Sequence, residues 1–363
     1  KLNLPLFAAM AIQMLTTASF GFWSGKKRFD YLYKKVVILT VASAVLTTVV
    51  SIFLVMSADE GRGEIKVIST VLMQAILFIP VYLTNAVKGR SFFVKKYWKF
   101  ALGMNIPLIP YYLAQAVFNN ADLLMIEWFC GMSDAALYGT VYSFATLMIL
   151  VSNAINNSFV PWKYRKMKGN NLDRMSTVTS GIAVLIAALL VLVILLGPEI
   201  VRLLAAPEYF DARWVFPPVA ASMFFLFFAQ QFIDVEFLLK SRMMLVAGSA
   251  CAAISNVVLN ALMIPAFGYI AAAYTTLFSY ILFVVCNYFA VGRSMRVANV
   301  RYKISDYCNV KVMTCISGGI VIITLLANLL YLSDLIRYVI VAAIVIAAFV
   351  CRGRIKGVLD SFR

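Results

Sequence analysis

Residues 105–168 read NIPLIPYYLAQAVFNNADLLMIEWFCGMSDAALYGTVYSFATLMILVSNAINNSFVPWKYRKMK. This stretch predicts a hairpin of two membrane-spanning helices, because its long apolar runs carry polar residues only at helical spacing. Gln115, Asn119 and Asp122 follow an i, i+4, i+7 pattern and therefore share one face of the first helix. Carboxamides and carboxylates are costly in hydrocarbon, so we expect this face to turn to the bundle interior or to a hydrated cavity.

The second helix of the hairpin repeats the polar pattern and leads into a block of cations. Its polar positions are Tyr142, Thr146, Asn153 and Asn156 or Asn157. Proline interrupts helical hydrogen bonding, so Pro161 is predicted to end this helix. The cationic foot that follows consists of Trp162, Lys163, Tyr164, Arg165, Lys166 and Lys168.

The composition excludes a soluble globular protein. Of the 363 residues, 63% are hydrophobic and only 13% are charged, and the mean hydropathy is +0.89. A helix needs roughly twenty apolar residues to cross a bilayer. The sequence therefore predicts an all-α, polytopic transmembrane helix bundle of about eleven spans. The candidates are 4–22, 36–56, 67–87, 100–120, 137–160, 176–197, 214–239, 243–264, 268–291, 312–331 and 336–351.

The net charge of +16 reflects membrane topology rather than nucleic-acid binding. Most of the 32 cations fall in one alternate set of loops. The opposite set contains only Lys1, Arg62, Lys66, Arg202, Arg213 and Arg337. By the positive-inside rule the carboxyl terminus is predicted to be cytoplasmic. In the cationic loop 88–99, Phe92, Phe93, Tyr97 and Trp98 favour contact with membrane lipids at the headgroup level.

Two further expectations follow from the same pattern. An odd number of spans places Lys1 outside, without an initiator Met, so we expect the chain to lack its first spans. The six cysteines form no CxxC pair and lie mostly in or beside apolar spans, so we expect neither disulfides nor metal ligation.

Two later helices also carry polar pairs at i, i+4. Gln230 and Asp234 share one face, as do Asn256 and Asn260. Asp234 is interpreted either as a coupling-ion site or as an ion-pair partner of Lys240 or Arg242. The final two spans contain little polarity and are predicted to be peripheral.

Several kinds of catalysis are excluded by absent residues. The sequence has no histidine, so a Ser-His-Asp triad, a His-based zinc site and a His general base cannot form. It also lacks the P-loop pattern GxxxxGK[ST] and an Asp-x-Asp pair. We therefore predict neither an enzyme nor a bound cofactor.

Four motifs carry a resemblance to a known family. They are PLIP at 107–110, AALYGTVYS at 135–143, PWKYRK at 161–166 and NVVLNALMIPAFG at 256–268. With their flanks they resemble the oligosaccharide (O-antigen or capsule) repeat-unit flippases of the MATE-like MOP superfamily. The likeness covers about 22–288. Where relatives commonly carry Asp-Arg, this chain has Asp122 followed by Leu123, so the family's cation is missing.

The resemblance implies a two-bundle fold with an incomplete amino-terminal half. Residues 1–96 would be the remainder of the first bundle and 97–292 the second six-helix bundle. Residues 293–363 would be two additional spans and a cytoplasmic tail. It also implies location in the bacterial cytoplasmic membrane.

The implied activity is transfer of an undecaprenyl-pyrophosphate-linked oligosaccharide across the membrane by alternating access. H⁺ or Na⁺ would be the coupling ion, and polysaccharide assembly proteins would be partners. The expected substrate path comprises Gln115, Asn119, Asn120, Asp122, Tyr142, Asn153, Asn156, Gln230, Asp234, Asn256 and Asn260. Lys163 and Arg165 would attract the pyrophosphate at the cytoplasmic mouth.

Other interpretations stay open at this point. A hydrogen bond between helices explains each Asn equally well, and membrane topology alone explains Lys163 and Arg165. The chain could also be a MATE-like antiporter of small molecules or ions. A membrane-embedded polysaccharide polymerase or ligase is a third class, for which the loop 197–213 is short.

Overall fold

The computed structural model describes residues 4–58, 61–89, 93–169, 171–300, 302–350 and 353. Lys1, Phe92, Cys351 and most of the carboxyl-terminal tail lie outside these ranges. Within them the regular structure is helical and contains no strand. The chain divides into two compact units, Lys1–Ala101 and Leu102–Arg363, whereas the sequence placed the first boundary at 96 and a second at 292.

The first unit is a three-helix assembly followed by a short amphipathic helix. Its helices are α1 (Leu4–Phe29), α2 (Tyr33–Met56), α3 (Arg62–Gly89) and α4 (Lys95–Asn105), which continues into the second unit. Helix α3 packs against both α1 and α2. Phe20 stacks on Phe78 with ring centroids 4.3 Å apart, and the hydroxyls of Ser51 and Ser69 lie 2.9 Å apart. These contacts use small polar groups and aromatic rings to hold apolar helices together.

The second unit contains the remaining helices. They are α5 (Ile109–Cys130), α6 (Met132–Ala145), α7 (Met148–Lys168), α8 (Met175–Leu195), α9 (Gly197–Leu204), α10 (Phe216–Leu238), α11 (Arg242–Phe267), α12 (Tyr269–Val297), α13 (Ile304–Tyr307), α14 (Val310–Leu330) and α15 (Asp334–Val350). Short 3₁₀ turns at Ile106–Leu108 and Pro207–Val215 precede α5 and α10.

Helix α10 lies at the centre of the second unit. It contacts α6, α7, α8, α11, α12 and α14. Apolar side chains lie on all of its faces, and Phe224, Phe227 and Phe232 are fully buried. A helix with this composition belongs in the interior of a bundle. Helix α8 instead buries one stripe at i, i+4 spacing, which includes Ile182, Ile186 and Leu190.

The structure confirms a multi-pass helical membrane protein but shifts some predicted boundaries. In the described part of the chain, nine helices are long and apolar enough to cross a membrane. The other two predicted spans correspond to α5, which carries many polar residues, and to α15, which has 17 residues. The span predicted at 100–120 is displaced, because the chain makes a 3₁₀ turn at Pro107 before α5 begins.

The predicted helix end at Pro161 is wrong. Helix α7 runs through Pro161 to Lys168, and the predicted span 137–160 is divided after Ala145 instead. A proline costs one helical hydrogen bond, which a membrane helix tolerates when neighbouring helices enclose it. Pro161 is buried in this way. As a result, the residues after it remain on the helix.

Candidate functional site

A buried carboxylate, Asp122 of α5, forms the centre of a hydrogen-bonded cluster. Only 3% of the residue is exposed. Its Oδ1 accepts a hydrogen bond from Asn260 Nδ2 at 2.6 Å, and its Oδ2 accepts one from the Tyr138 hydroxyl at 2.9 Å. The Thr276 hydroxyl also donates to Oδ2. Helices α5, α6, α11 and α12 therefore meet at one carboxylate.

The donors to Asp122 are themselves linked to one another. Asn256 Nδ2 donates to Thr276 Oγ1 at 3.2 Å, and Asn260 Nδ2 lies 3.3 Å from Asn256 Oδ1. The Thr275 hydroxyl donates to Asn260 Oδ1. We call this set the Asp122 cluster. It consists of Asp122, Tyr138, Asn256, Asn260, Thr275 and Thr276.

The Asp122 cluster contains a buried carboxyl group surrounded by hydrogen-bond donors. No lysine or arginine of the described ranges forms a salt bridge with Asp122. A buried charge that is hydrogen-bonded but unpaired remains costly in a membrane interior. Binding of a proton or of a small cation would remove this cost, and the cluster offers amide, hydroxyl and carboxylate oxygens. Among the described residues, no group of three or more Asp, Glu, Cys or His side chains could hold a metal ion.

Leu123 directly follows Asp122 on α5. Its Cδ2 lies so close to Gly139 that a Cβ added there would be 2.9 Å away. The side chain thus packs against the backbone of α6 rather than supplying a charge.

A second polar cluster joins α7 to α10. Lys163, only 2% exposed, places its Nζ 2.7 Å from Asp234 Oδ2 and donates to Gln231 Oε1 at 2.9 Å. Gln230 donates to Asp234 Oδ1 at 3.1 Å. The Tyr164 hydroxyl donates to the backbone carbonyl of Asp234 at 2.9 Å. We call this set the Lys163 cluster.

The Lys163 cluster differs from what the sequence suggested for two residues. Asp234 pairs with Lys163 and not with Lys240 or Arg242. Lys163 is buried rather than open at a cytoplasmic mouth, because α7 continues past Pro161 and turns it toward α10. Arg165, two residues later, is exposed. The roles proposed for Lys163 and Arg165 toward a pyrophosphate stay predictions.

The other predicted path residues are not among the hydrogen-bonded members of either cluster, although the Tyr142 ring stacks on Tyr138 with centroids 5.5 Å apart. Asn119, Asn120 and Asn153 are exposed, whereas Gln115, Tyr142 and Asn156 are half-buried. Asn119 Oδ1 accepts a hydrogen bond from the Tyr280 hydroxyl at 3.4 Å, and Asn120 donates to Ala116 O of its own helix. Their assignment to a substrate path stays a prediction.

Sequence reasoning missed Tyr138, Thr275, Thr276 and Gln231. The position of Thr276 could have been inferred from the sequence of the hairpin that turns at Gly268. Asn260 lies eight residues before this glycine and Thr276 eight residues after it. Antiparallel helices bring such positions to the same level. Tyr138 and Gln231 had no comparable signal.

The prediction that the final helix, α15, is peripheral is wrong at its start, because residues near its beginning bond with α9. Arg337 is 1% exposed, bonds with Glu199, and lies 2.7 Å from Asp334 Oδ1. The Tyr338 hydroxyl donates to the same Glu199 oxygen at 2.7 Å. These contacts fix the start of α15 at one end of α9.

Comparison with known proteins identifies a solved structure with a similar fold. No protein-family model and no curated protein matches the sequence. Among solved structures, the chain is similar to lipid II flippase MurJ in its inward closed conformation, with a TM-score of 0.51. The chain has a MurJ-like fold. The MurJ likeness extends over 98% of this chain and 75% of that one, at 15% sequence identity, and therefore concerns the fold alone. The predicted fold class is confirmed.

Proposed function

We propose that this chain is a flippase for a lipid-linked saccharide. The observation that carries the proposal is Asp122, a buried carboxyl group at the junction of four helices that has no salt-bridge partner among the described residues, in a chain with a MurJ-like fold. Such a group can bind and release a cation during a transport cycle.

The proposed substrate is an undecaprenyl-pyrophosphate-linked oligosaccharide repeat unit for surface polysaccharide, such as O-antigen or capsule. The motifs at 107–110, 135–143, 161–166 and 256–268 support this finer assignment. Pyrophosphate and sugar hydroxyls require a hydrated, donor-rich path, while the polyprenyl tail can remain in lipid. The proposed hydrogen-bond donors along this path are Gln115, Asn119, Asn120, Tyr142, Asn153 and Asn156.

The proposed location is the bacterial cytoplasmic membrane, with a cytoplasmic carboxyl terminus and polysaccharide assembly proteins as partners.

Asp122 is the proposed coupling residue for H⁺ or Na⁺. Binding of a cation neutralises the carboxylate and removes the free-energy cost of an unpaired buried charge. The packing of α5, α6, α11 and α12 around Asp122 then becomes more stable. When the cation leaves, arrangements that hydrate the carboxylate are favoured. A cation gradient can in this way bias an alternating-access cycle.

The Lys163 cluster is proposed to respond to the pyrophosphate. In this structure the Lys163 ammonium donates a hydrogen bond to Gln231 and forms an ion pair with Asp234. An incoming pyrophosphate would compete with Asp234 for that cation, and the exposed Arg165 would contribute the first attraction. Separation of Lys163 from Asp234 leaves the Asp234 carboxylate without a counter-charge unless water reaches it. Because water can enter only if α7 and α10 move apart, anion binding is coupled to movement of these two helices.

A reconstitution experiment tests the proposed function. The purified chain is placed in proteoliposomes that contain a fluorescent undecaprenyl-pyrophosphate oligosaccharide, and accessibility of the label to an external quencher is followed. We expect transfer between leaflets faster than in protein-free liposomes and slower transfer of lipid II. Equal rates with and without protein would refute the proposal. Efflux of a cationic dye without lipid transfer would favour the antiporter interpretation instead.

A further inference from the structure

Two cysteine thiols of neighbouring helices are in direct contact. Cys286 Sγ of α12 lies 3.2 Å from Cys251 Sγ of α11, and both residues are free cysteines. A disulfide has a sulfur separation of about 2.05 Å. The two sulfurs therefore need to approach by only about 1 Å to form this bond.

The hairpin geometry explains why these thiols meet. Cys251 lies seventeen residues before Gly268 and Cys286 eighteen residues after it, so both occur at the same level of the α11–α12 hairpin. The helices approach closely at this level, because a Cβ at Gly248 would lie 3.1 Å from the Asn287 carboxamide. The contact is thus set by backbone packing within one hairpin and not by flexible side chains.

The surroundings of the pair determine which oxidant can reach it. Cys251 is exposed and Cys286 half-buried, on a surface that also presents exposed Ile254 and Phe289. Cys251 is nine residues into α11, or about 14 Å from the end of the helix at 1.5 Å per residue. This depth lies within the hydrocarbon of a bilayer about 30 Å thick. A lipid-soluble oxidant has access to the thiols, whereas a charged aqueous one does not.

We propose that Cys251 and Cys286 are an intramembrane dithiol that closes to a disulfide when a lipid-soluble two-electron oxidant of the quinone class reaches it. Both S–H bonds break and one S–S bond forms. The two electrons and two protons reduce the quinone to its quinol. The product links α11, which carries Asn256 and Asn260, covalently to α12, which carries Thr275 and Thr276. The reaction does not depend on the transport activity proposed above.

The test counts free thiols in the full chain reconstituted in vesicles. The reduced protein is treated with decylubiquinone or with iodine, a small lipid-soluble two-electron oxidant that forms the disulfide and two equivalents of HI. Remaining thiols are then alkylated with N-ethylmaleimide. Mass spectrometry of intact and digested protein counts the alkylated cysteines and identifies cross-linked peptides. Oxidised glutathione, which is charged, serves as the aqueous comparison.

We expect both lipid-soluble oxidants to remove two alkylatable thiols per chain and to yield a peptide joining Cys251 to Cys286. Dithiothreitol should restore both thiols, and oxidised glutathione should have no effect. Cys251→Ser and Cys286→Ser should each abolish the loss, whereas Cys315→Ser, at an exposed thiol on α14, should not. Cys251→Ala provides a second variant should the Ser variant fold poorly. Full retention of thiols with both oxidants, or the same loss in Cys251→Ala, would overturn the proposal.

Discussion

The Lys163 ammonium of α7 lies 2.7 Å from the Asp234 carboxylate of α10, with both side chains almost completely buried. Gln231 and Gln230 supply further hydrogen bonds, so each charge has more than one partner. An ion pair placed in a bundle interior need not stabilise the fold more than apolar groups would. It does make α7 and α10 depend on each other.

This dependence leads to a first prediction, for Asp234→Asn. The substitution leaves the Lys163 ammonium buried without a counter-charge, and removing one partner of a buried pair typically costs about 3–5 kcal/mol. We therefore expect unfolding at a clearly lower SDS fraction. The double variant Lys163→Met/Asp234→Leu, which removes both charges, should recover most of the loss.

The matched control for this pair is Asp211→Asn. The Asp211 carboxylate is 94% exposed and lies 3.8 Å from Arg213, so its loss should leave the unfolding midpoint unchanged. A double variant as unstable as Asp234→Asn would contradict the interpretation of Lys163 and Asp234 as a mutually compensating pair.

A second prediction compares two asparagines. Asn260→Ala removes a donor to Asp122 and an acceptor for Thr275, all in buried positions. Each orphaned buried group costs about 1–3 kcal/mol. Asn120→Ala removes an exposed side chain that donates a hydrogen bond to Ala116 O of its own helix. We expect a large drop in the SDS unfolding midpoint for Asn260→Ala and little change for Asn120→Ala. Equal effects would mean that the Asp122 cluster does not hold these helices together.

A third prediction concerns Gly197 at the start of α9. A Cβ at this position would collide with the Tyr331 hydroxyl and approach a Phe216 ring carbon at 2.9 Å. The same hydroxyl donates to Ile194 O at 2.6 Å, so Tyr331 cannot withdraw without losing that bond. Overpacking of this kind typically costs about 1–3 kcal/mol. We expect Gly197→Ala to lower thermal stability in detergent.

Two comparisons make the Gly197 prediction specific. Gly318→Ala, in α14 where no atom of the described residues lies within 4 Å of the added carbon, should be neutral or slightly stabilising. Adding Tyr331→Phe to Gly197→Ala removes the colliding hydroxyl and should restore part of the loss. Destabilisation by Gly318→Ala as large as by Gly197→Ala would contradict the close-contact explanation.

The sequence predicted the helical membrane fold because apolar runs of sufficient length are visible without any structure. It also predicted that Asp122, Asn256 and Asn260 are polar residues of membrane helices. It could not predict that they meet, because Asp122 and Asn260 are 138 residues apart and their contact depends on how α5 packs on α11. Tyr138 and Thr275 were missed because hydroxyls are ordinary in membrane helices and give no charge signal.

Lys163 illustrates a different limit of the sequence. It belongs to a run of cations that resembles a cytoplasmic loop, and a proline precedes it. Whether a proline ends a helix depends on the neighbours that enclose it, which are tertiary information. Since α7 continues through Pro161, the helical period turns Lys163 inward and leaves Arg165 exposed.

The proposal that Asp122 couples a cation gradient to lipid transfer predicts that transfer in proteoliposomes depends on such a gradient. The measurement is the rate of label transfer with and without an imposed H⁺ or Na⁺ gradient, for the unmodified chain, Asp122→Asn and the surface control Asp173→Asn. We predict that one of the gradients accelerates transfer by the unmodified chain and by Asp173→Asn. Asp122→Asn, which keeps the size of the side chain without its charge, should transfer lipid at a rate independent of either gradient, or not at all. Acceleration of Asp122→Asn to the same extent as the unmodified chain would contradict a coupling role for Asp122.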